Sequence, residues 1–362
     1  MAAPTLEELR NATEPLPTRS TPQMRRFLAG SIVTLFASLL LIGYLSPLGF
    51  MAVTSLKDIE MISDPSAPIL PSLPETFVYE GDEVPVLQVP IDGEVRGLAL
   101  IEPGRQSSVF IDPANIESGP IEWEGQWRQL DANYTTAPIW ENYSTAWDTL
   151  DLTRILFNTF AIAAIGVVGT LASSVCVAYG FSRFRFPFKR TLFIILISTI
   201  VLPRYVTLVP TFAFFSYIGW VGTWLPLLVP HFFANAYNIF LLRQYFLTVP
   251  RALDEAAMID SAGPLRTLWS VILPNAKPAI VAVSLFHFFF AWNDFFEPLI
   301  YLAAEPSLQP ISVAMQQFNA LYAQQPHLIQ ATALLGMIVP VLLFFAAQKV
   351  FLQGTSLAGV SK

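Results

Sequence analysis

Residues 241–278 read LLRQYFLTVPRALDEAAMIDSAGPLRTLWSVILPNAKP, a polar interruption between two strongly apolar segments. The pattern is that of two short helices joined at a tight break. Thr248 is placed to cap the first helix, Pro250 suits a first turn, and Asp254 and Glu255 lie near the positive end of the helix dipole. Gly263-Pro264 marks the end of that helix and the start of the next, which is expected over Leu265 to Leu273 and to stop at Pro274. A short helix is thus presented at the tip of a loop.

The segments on either side set the solvent. A chain of 362 residues that is 54% hydrophobic and 13% charged, with mean hydropathy +0.52, is too apolar for an ordinary water-soluble protein. It is expected to be an all-α integral membrane protein. Phe27 to Val53 contains no charged residue, and a spanning helix needs about 20 apolar residues. This run also exceeds the roughly 7–15 residues of a signal-peptide core, so it is taken as a first span over residues 27–56 and not as a cleaved leader. Further spans are expected over Ile155–Phe181, Thr191–Gly219, Thr223–Phe246, Ala279–Phe296 and Leu328–Ala347, six in all. The 29 prolines, several inside apolar runs, predict broken helices.

Residues 57–154 differ in kind. They carry 18 of the 27 acidic residues against five of the 20 basic ones. Thr76–Tyr79, Val84–Val89, Val95–Ile101 and Ser107–Ile111 are short β-type runs, separated by Gly81, Asp92-Gly93 and Pro103-Gly104. A small acidic β-rich insertion, over about residues 77–135 of a loop spanning 57–150, is therefore expected between spans 1 and 2. Orientation follows from the basic residues. With the tail 1–26 and the C-terminal tail 348–362 in the cytoplasm, fourteen of the twenty lysines and arginines fall on that side, including the cluster SRFRFPFKR (182–190). The acidic insertion then faces outward, and the loop 247–278, within the five-helix core 151–347, faces inward. The cluster 182–190 itself is taken as a topology and lipid anchor.

No covalent chemistry is indicated. Cys176 is single and sits in the apolar run LASSVCVAYG; His231, His287 and His327 are far apart in sequence; none of the five lysines follows the glycine of a phosphate-binding GxxxxGK[ST] loop. No catalytic residue, metal site or nucleic-acid partner is expected.

Glu255-Ala256-Ala257, Asp260 and Leu273-Pro274 resemble the EAA loop of the membrane subunits of binding-protein-dependent ABC importers. Ser261 stands where that pattern has glycine, with Gly263 two residues on as a possible shifted turn, and Val271 stands in place of its isoleucine. The resemblance extends to SPLGFMAVTSLK (46–57), PIWENYSTAW (138–147), SRFRFPFKR (182–190), AWNDFFEPL (291–299) and QKVFLQGTSLAG (348–359). These are similar to the carbohydrate branch, in particular to the second permease of maltose-type and glycerol-phosphate-type systems, in which the β-rich region is an insertion.

That resemblance implies a transport subunit of a bacterial inner membrane, forming half of a translocation pathway for a sugar or sugar-like solute. Its implied partners are a second permease in a heterodimer, an ATPase dimer that holds the ATP and Mg, an extracytoplasmic solute-binding protein and the lipid bilayer. No cofactor is implied for this chain. The implied coupling residues are Glu255, Ala256, Ala257, Asp260, Ser261, Gly263, Leu273 and Pro274, the carboxylates meeting donors on the ATPase and the alanines allowing close approach. Gly354, Thr355, Ser356 and Leu357 resemble, in outline, a tail that enters the ATPase region. An amphipathic helix with a solvated acidic face is the plain alternative for the loop.

Arg204, inside the third span, either faces a cavity or partner or pairs structurally with an acid such as Glu297. Trp292, Asn293, Asp294 and Glu297 are candidates for the solute pathway, since an aromatic and carboxylates suit sugar hydroxyls; Trp292 equally suits an interfacial belt. The insertion is expected to dock a partner or to stabilise the outer loop. A secondary transporter driven by an ion gradient is the rival, and it calls for mid-span acids and an internal repeat that the sequence lacks.

Overall fold

The computed structural model describes residues 22–358, apart from 66, 92, 234, 321 and 322, and describes no side chains for 22–25, 204, 205, 320, 323 and 350–358. Most of the tail expected over residues 1–26 therefore lies outside the described residues, as does Gly359. The chain divides into two units, residues 1–51 and 52–362. The described part of the first unit lies in one helix, α1 (Pro22–Thr54), whose last three residues fall in the second unit and whose 33 residues make a rod about 50 Å long at 1.5 Å per residue. None of its most apolar window is buried within the chain.

The second unit contains the other helices. Those used below are α2 (Glu141–Leu150), α3 (Leu152–Arg183), α4 (Lys189–Ser198), α5 (Arg204–Tyr217), α6 (Ala236–Thr248), α7 (Arg251–Ile259), α8 (Pro264–Thr267), α9 (Lys277–Trp292) and α10 (Pro326–Ala358), with further helices of three to six residues, such as Ile59–Ser63 and Phe296–Tyr301, among them. Helix α3 is the axis of the unit. Its Ile155, Ile162, Ala163 and Val175 each belong to a different apolar cluster, built respectively with α2 and α10, with Phe215 and Tyr301, with α9, and with α6. Small residues on α3 permit this approach. A Cβ on Gly169 would lie 2.7 Å from the Phe232 ring, and one on Gly166 would lie 2.7 Å from Nε2 of His287.

Four helical runs among the described residues are long and apolar enough to cross a membrane: Arg26–Thr54, Leu152–Arg183, Leu225–Thr248 and Pro326–Lys349. The expected six is reached only if two bent pairs each count as one span, Lys189–Val201 with Val206–Tyr217 at 98° and Pro264–Asn275 with Lys277–Trp292 at 83°. Spans 3 and 5 are thus bent pairs, in line with the broken helices that the prolines predict. Proline gives the reason. Pro203 pushes Leu202 out of the helical region to ψ 120°, and Pro278 occupies the first turn of α9, where its missing N–H costs no helical hydrogen bond.

The β-rich insertion is present as a five-stranded antiparallel meander, β2 (Thr76–Tyr79), β3 (Asp82–Ile91), β4 (Glu94–Glu102), β5 (Ser107–Ile111) and β6 (Ile121–Glu124), preceded by β1 (Ser72–Pro74) and followed by β7 (Tyr134–Thr136). Strands alternate side chains between faces. Leu87, Val89, Leu98, Leu100 and Phe110 accordingly pack on one side with Trp123 and Trp127, and Val86, Ala99 and Ile111 on the other with Phe77 and Val84. Glu80 (φ 51°) and Gly81 (φ 101°) form the two-residue β2–β3 turn, whose positive φ values match the twist of a tight hairpin.

The ends of the insertion meet. β1 pairs antiparallel with β7, and just outside that neck Ile139 N donates to Leu56 O at 2.9 Å. Asn142 Nδ2 then donates to the carbonyls of Ser55 and Lys57, both at 2.9 Å, and the Tyr143 and Ser55 hydroxyls lie 2.8 Å apart. Residues 55–57 and 139–143, distant in sequence, are therefore one joint.

Candidate coupling site

Helix α7 starts after Pro250, which occupies the N-cap position in extended conformation. Thr248 does not cap it: its hydroxyl donates backwards to Tyr245 O at 2.7 Å, within α6. The chain leaves α7 through a Schellman turn. Ala262 N donates to Ala257 O (2.9 Å) and Ser261 N to Met258 O (3.0 Å), with Ser261 at φ +57° in the left-handed region. Ser261 therefore holds the conformation that glycine favours, and the turn is not shifted to Gly263, which is extended at φ −69°, ψ 167°.

The second helix of the loop runs further than expected. From Pro264 it continues through a π-helical turn at Leu268–Ile272 into Leu273–Asn275, so Pro274 lies inside the helical run and Ala276 ends it. A wide π turn at this point is the usual device by which a helix absorbs an irregularity in its hydrogen-bond ladder.

The two faces of α7 do different things. Asp254 and Ala257, three apart, turn inward and are each 9% exposed. Ala257 thus lets α7 lie close to its own chain, contrary to the expectation that it meets a partner. Glu255, Ala256 and Asp260 are exposed, as are Ser261, Gly263 and Pro274, whereas Leu273 is half-buried. Beside the carboxylates stand apolar side chains with no cover in the chain: Met258 (68% exposed), Ile259 (83%), Leu265 (72%) and Trp269 (71%). Large apolar side chains left this exposed next to carboxylates are the composition of an interaction site.

Behind α7 the structure reveals contacts that sequence spacing did not suggest. Arg183, the last residue of α3, sets Nε 3.0 Å from Oδ2 of Asp254, the side chains being 7% and 13% exposed. The N–H is not aligned on that oxygen, so this is an ion pair and not a directed hydrogen bond. Nη2 of the same guanidinium donates to Val249 O at 2.9 Å, and the Tyr179 hydroxyl donates to Pro264 O at 3.2 Å. A cavity of about 360 Å³ lies here, its wall including Tyr179, Arg183, Arg251, Asp254 and Glu255. Arg183 is thus more than a topology anchor, while Arg185 and Arg190 of the same cluster are exposed.

Of the expected solute-pathway residues, Trp292 and Asn293 are engaged within α9 itself. Trp292 is 4% exposed and stacked on Phe288 at 5.3 Å, and Asn293 caps α9 by donating to Phe289 O at 2.8 Å. The backbone carbonyl of Asp294 accepts from Ser312 Oγ. Glu297 lines a cavity of about 250 Å³, with Thr211, His231, Asn235 and Tyr301 among its neighbours. The side chain of Arg204 and those of Thr355, Ser356 and Leu357 are outside the described residues; the backbone there is helical, including Gly354. Two histidines separated in sequence do meet. The His231 and His287 rings are 4.4 Å apart, and His287 Nδ1 lies 3.2 Å from the Thr170 hydroxyl.

Residues 166–356 match the family described as binding-protein-dependent transport system inner membrane component. The chain belongs to that family. Among curated relatives, the permease is 32% identical over 225 residues to the osmoprotective compounds uptake permease protein GgtD of Synechocystis sp., covering 61% of this chain and 74% of that one. It is 32% identical over 227 residues to the sn-glycerol-3-phosphate transport system permease protein UgpE of Agrobacterium fabrum, covering 62% of this chain and 79% of the relative. A solved bacterial ABC transporter involved in the import of the acidic polysaccharide alginate has a chain of the same fold, with TM-score 0.61 at 20% identity, over 93% of the permease and 100% of that chain. The recognition of a permease from its EAA loop is confirmed.

Proposed function

We propose that this permease forms half of the translocation pathway of an ATP-driven importer for a sugar or sugar-like solute, and that α7 is the element through which the ATPase acts on it. The observation that carries this is the exposure of Glu255, Met258 and Ile259 on α7 and of Asp260 at its end, with Leu265 and Trp269 exposed on the helical run that follows. An amphipathic surface of this kind suits a groove on a partner, the apolar groups supplying burial and the carboxylates fixing register. The uptake of osmoprotective compounds and of glycerol phosphate by the relatives, and of alginate by the structural neighbour, supports a polyhydroxylated or phosphorylated solute.

In this arrangement both termini and α7 are cytoplasmic and the acidic β-rich insertion is outside, where it docks the solute-binding protein. A second, different permease completes the pathway, and the ATPase dimer holds ATP and Mg. Glu255→Lys tests the role of α7 in the complex reconstituted with its partners. The expected result is loss of the stimulation of ATP hydrolysis by the binding protein; stimulation equal to that of the unmodified complex would sink the proposal.

A further inference from the structure

Arg183 sits where the transport pathway and the cytoplasmic loop have to be joined. One guanidinium reaches the chain just before α7, at Val249 O (2.9 Å), and a carboxylate inside α7, at Asp254 (3.0 Å). Tyr179, one turn back on the same face of α3, reaches the chain after α7, at Pro264 O (3.2 Å). Helix α7 is therefore held to α3 at its start, in its middle and beyond its end. All the tying side chains on α3 lie within its last two turns.

Stability alone does not account for an ionic pair at this place. Removing two charges from water is expensive, and apolar side chains of similar volume commonly hold buried sites at least as firmly. What a guanidinium adds is a planar fork of donors on one charge: Nη2 donates to Val249 O while the same cation lies against the Asp254 carboxylate. Topology does not require Arg183 either, since exposed Arg185 and Arg190 supply positive charge at the same helix end.

We infer that Arg183 is a positioning residue for transport: with Asp254 it clasps α7 to α3, so that a displacement of α7 is passed to the helix that joins all the helical core clusters. This rests on α7 being the coupling helix. The clasp is internal to the permease and needs no contact with the ATPase. A flexible joint at this point would let α7 follow the ATPase while α3 stayed still.

The test uses the full complex with its solute-binding protein, comparing unmodified permease with Glu255→Lys, the double variant Arg183→Met/Asp254→Leu, and Arg183→Lys. Two quantities are read: copurification of the ATPase, and the ratio of ATP hydrolysis with binding protein to that without. The apolar double variant is expected to keep the ATPase bound while the ratio falls at least about fivefold, the lower end of a typical coupling between sites. A merely structural role leaves that ratio unchanged, because the apolar pair preserves packing.

Arg183→Lys retains the charge without the fork and provides the reading if the double variant does not assemble. A lowered ratio with the ATPase bound supports the clasp, and an unchanged ratio overturns it. If Glu255→Lys abolishes stimulation and the clasp variants do not, the clasp alone fails. If none of the variants changes the ratio, the assignment of α7 fails, and the clasp with it.

Discussion

Ser261 pays for its place with backbone strain: a non-glycine residue at φ +57° sits in a region where Cβ crowds the backbone. Ser261→Gly is expected to stabilise the loop by up to about 1 kcal/mol, seen as a higher midpoint of thermal unfolding in detergent. Arg183 makes the opposite case. Arg183→Met alone leaves the Asp254 carboxylate buried without its cation and is expected to destabilise the permease by about 3–5 kcal/mol, whereas adding Asp254→Leu restores most of the loss. The same melting experiment separates the two, since independent sites give additive losses. Position 261 was legible only through the resemblance, as the place of the pattern's glycine, while the residues themselves put the break at Gly263-Pro264. The clasp was not legible, because Arg183 and Val249 are 66 residues apart and nothing in a basic cluster says which arginine turns inward.

Individual elements divide along similar lines. Each of the four β-type runs lies within an observed strand, their alternation reflecting a sheet with apolar side chains on both faces. β1, β6 and β7 are only three or four residues long and carry too little alternation to register. Apolar runs located the spans and prolines predicted breaks among them, but which spans bend, and by 98° and 83°, is set by packing that hydropathy does not report. Within the pathway candidates, an aromatic residue beside carboxylates suggested a sugar surface, yet the helical period turned Trp292 onto Phe288. Asn142 offers an element-scale test. Asn142→Ala leaves the carbonyls of Ser55 and Lys57 without this donor and is expected to cost about 1–3 kcal/mol, detected as faster amide exchange across the joint between residues 55–57 and α2.

For the molecule as a whole, the insertion is a closed excursion. The sheet carries its own apolar clusters, and the chain that leaves at Ser72 returns at Thr136 directly opposite. Replacing residues 72–136 with a short glycine-serine linker is expected to leave the permease able to copurify its ATPase while lowering stimulation by the solute-binding protein. Full stimulation in that variant rules out the docking role proposed for the insertion. The joint outside the neck has a consequence of another kind. Because Leu56 and Ile139 are hydrogen-bonded neighbours, whatever lies between them forms a ring, and doubling the length of a flexible ring costs only about 0.6 kcal/mol. That position is a socket in which modules can be exchanged over evolutionary time without re-registering the helices on either side, and where a reporter protein can be installed for single-molecule imaging.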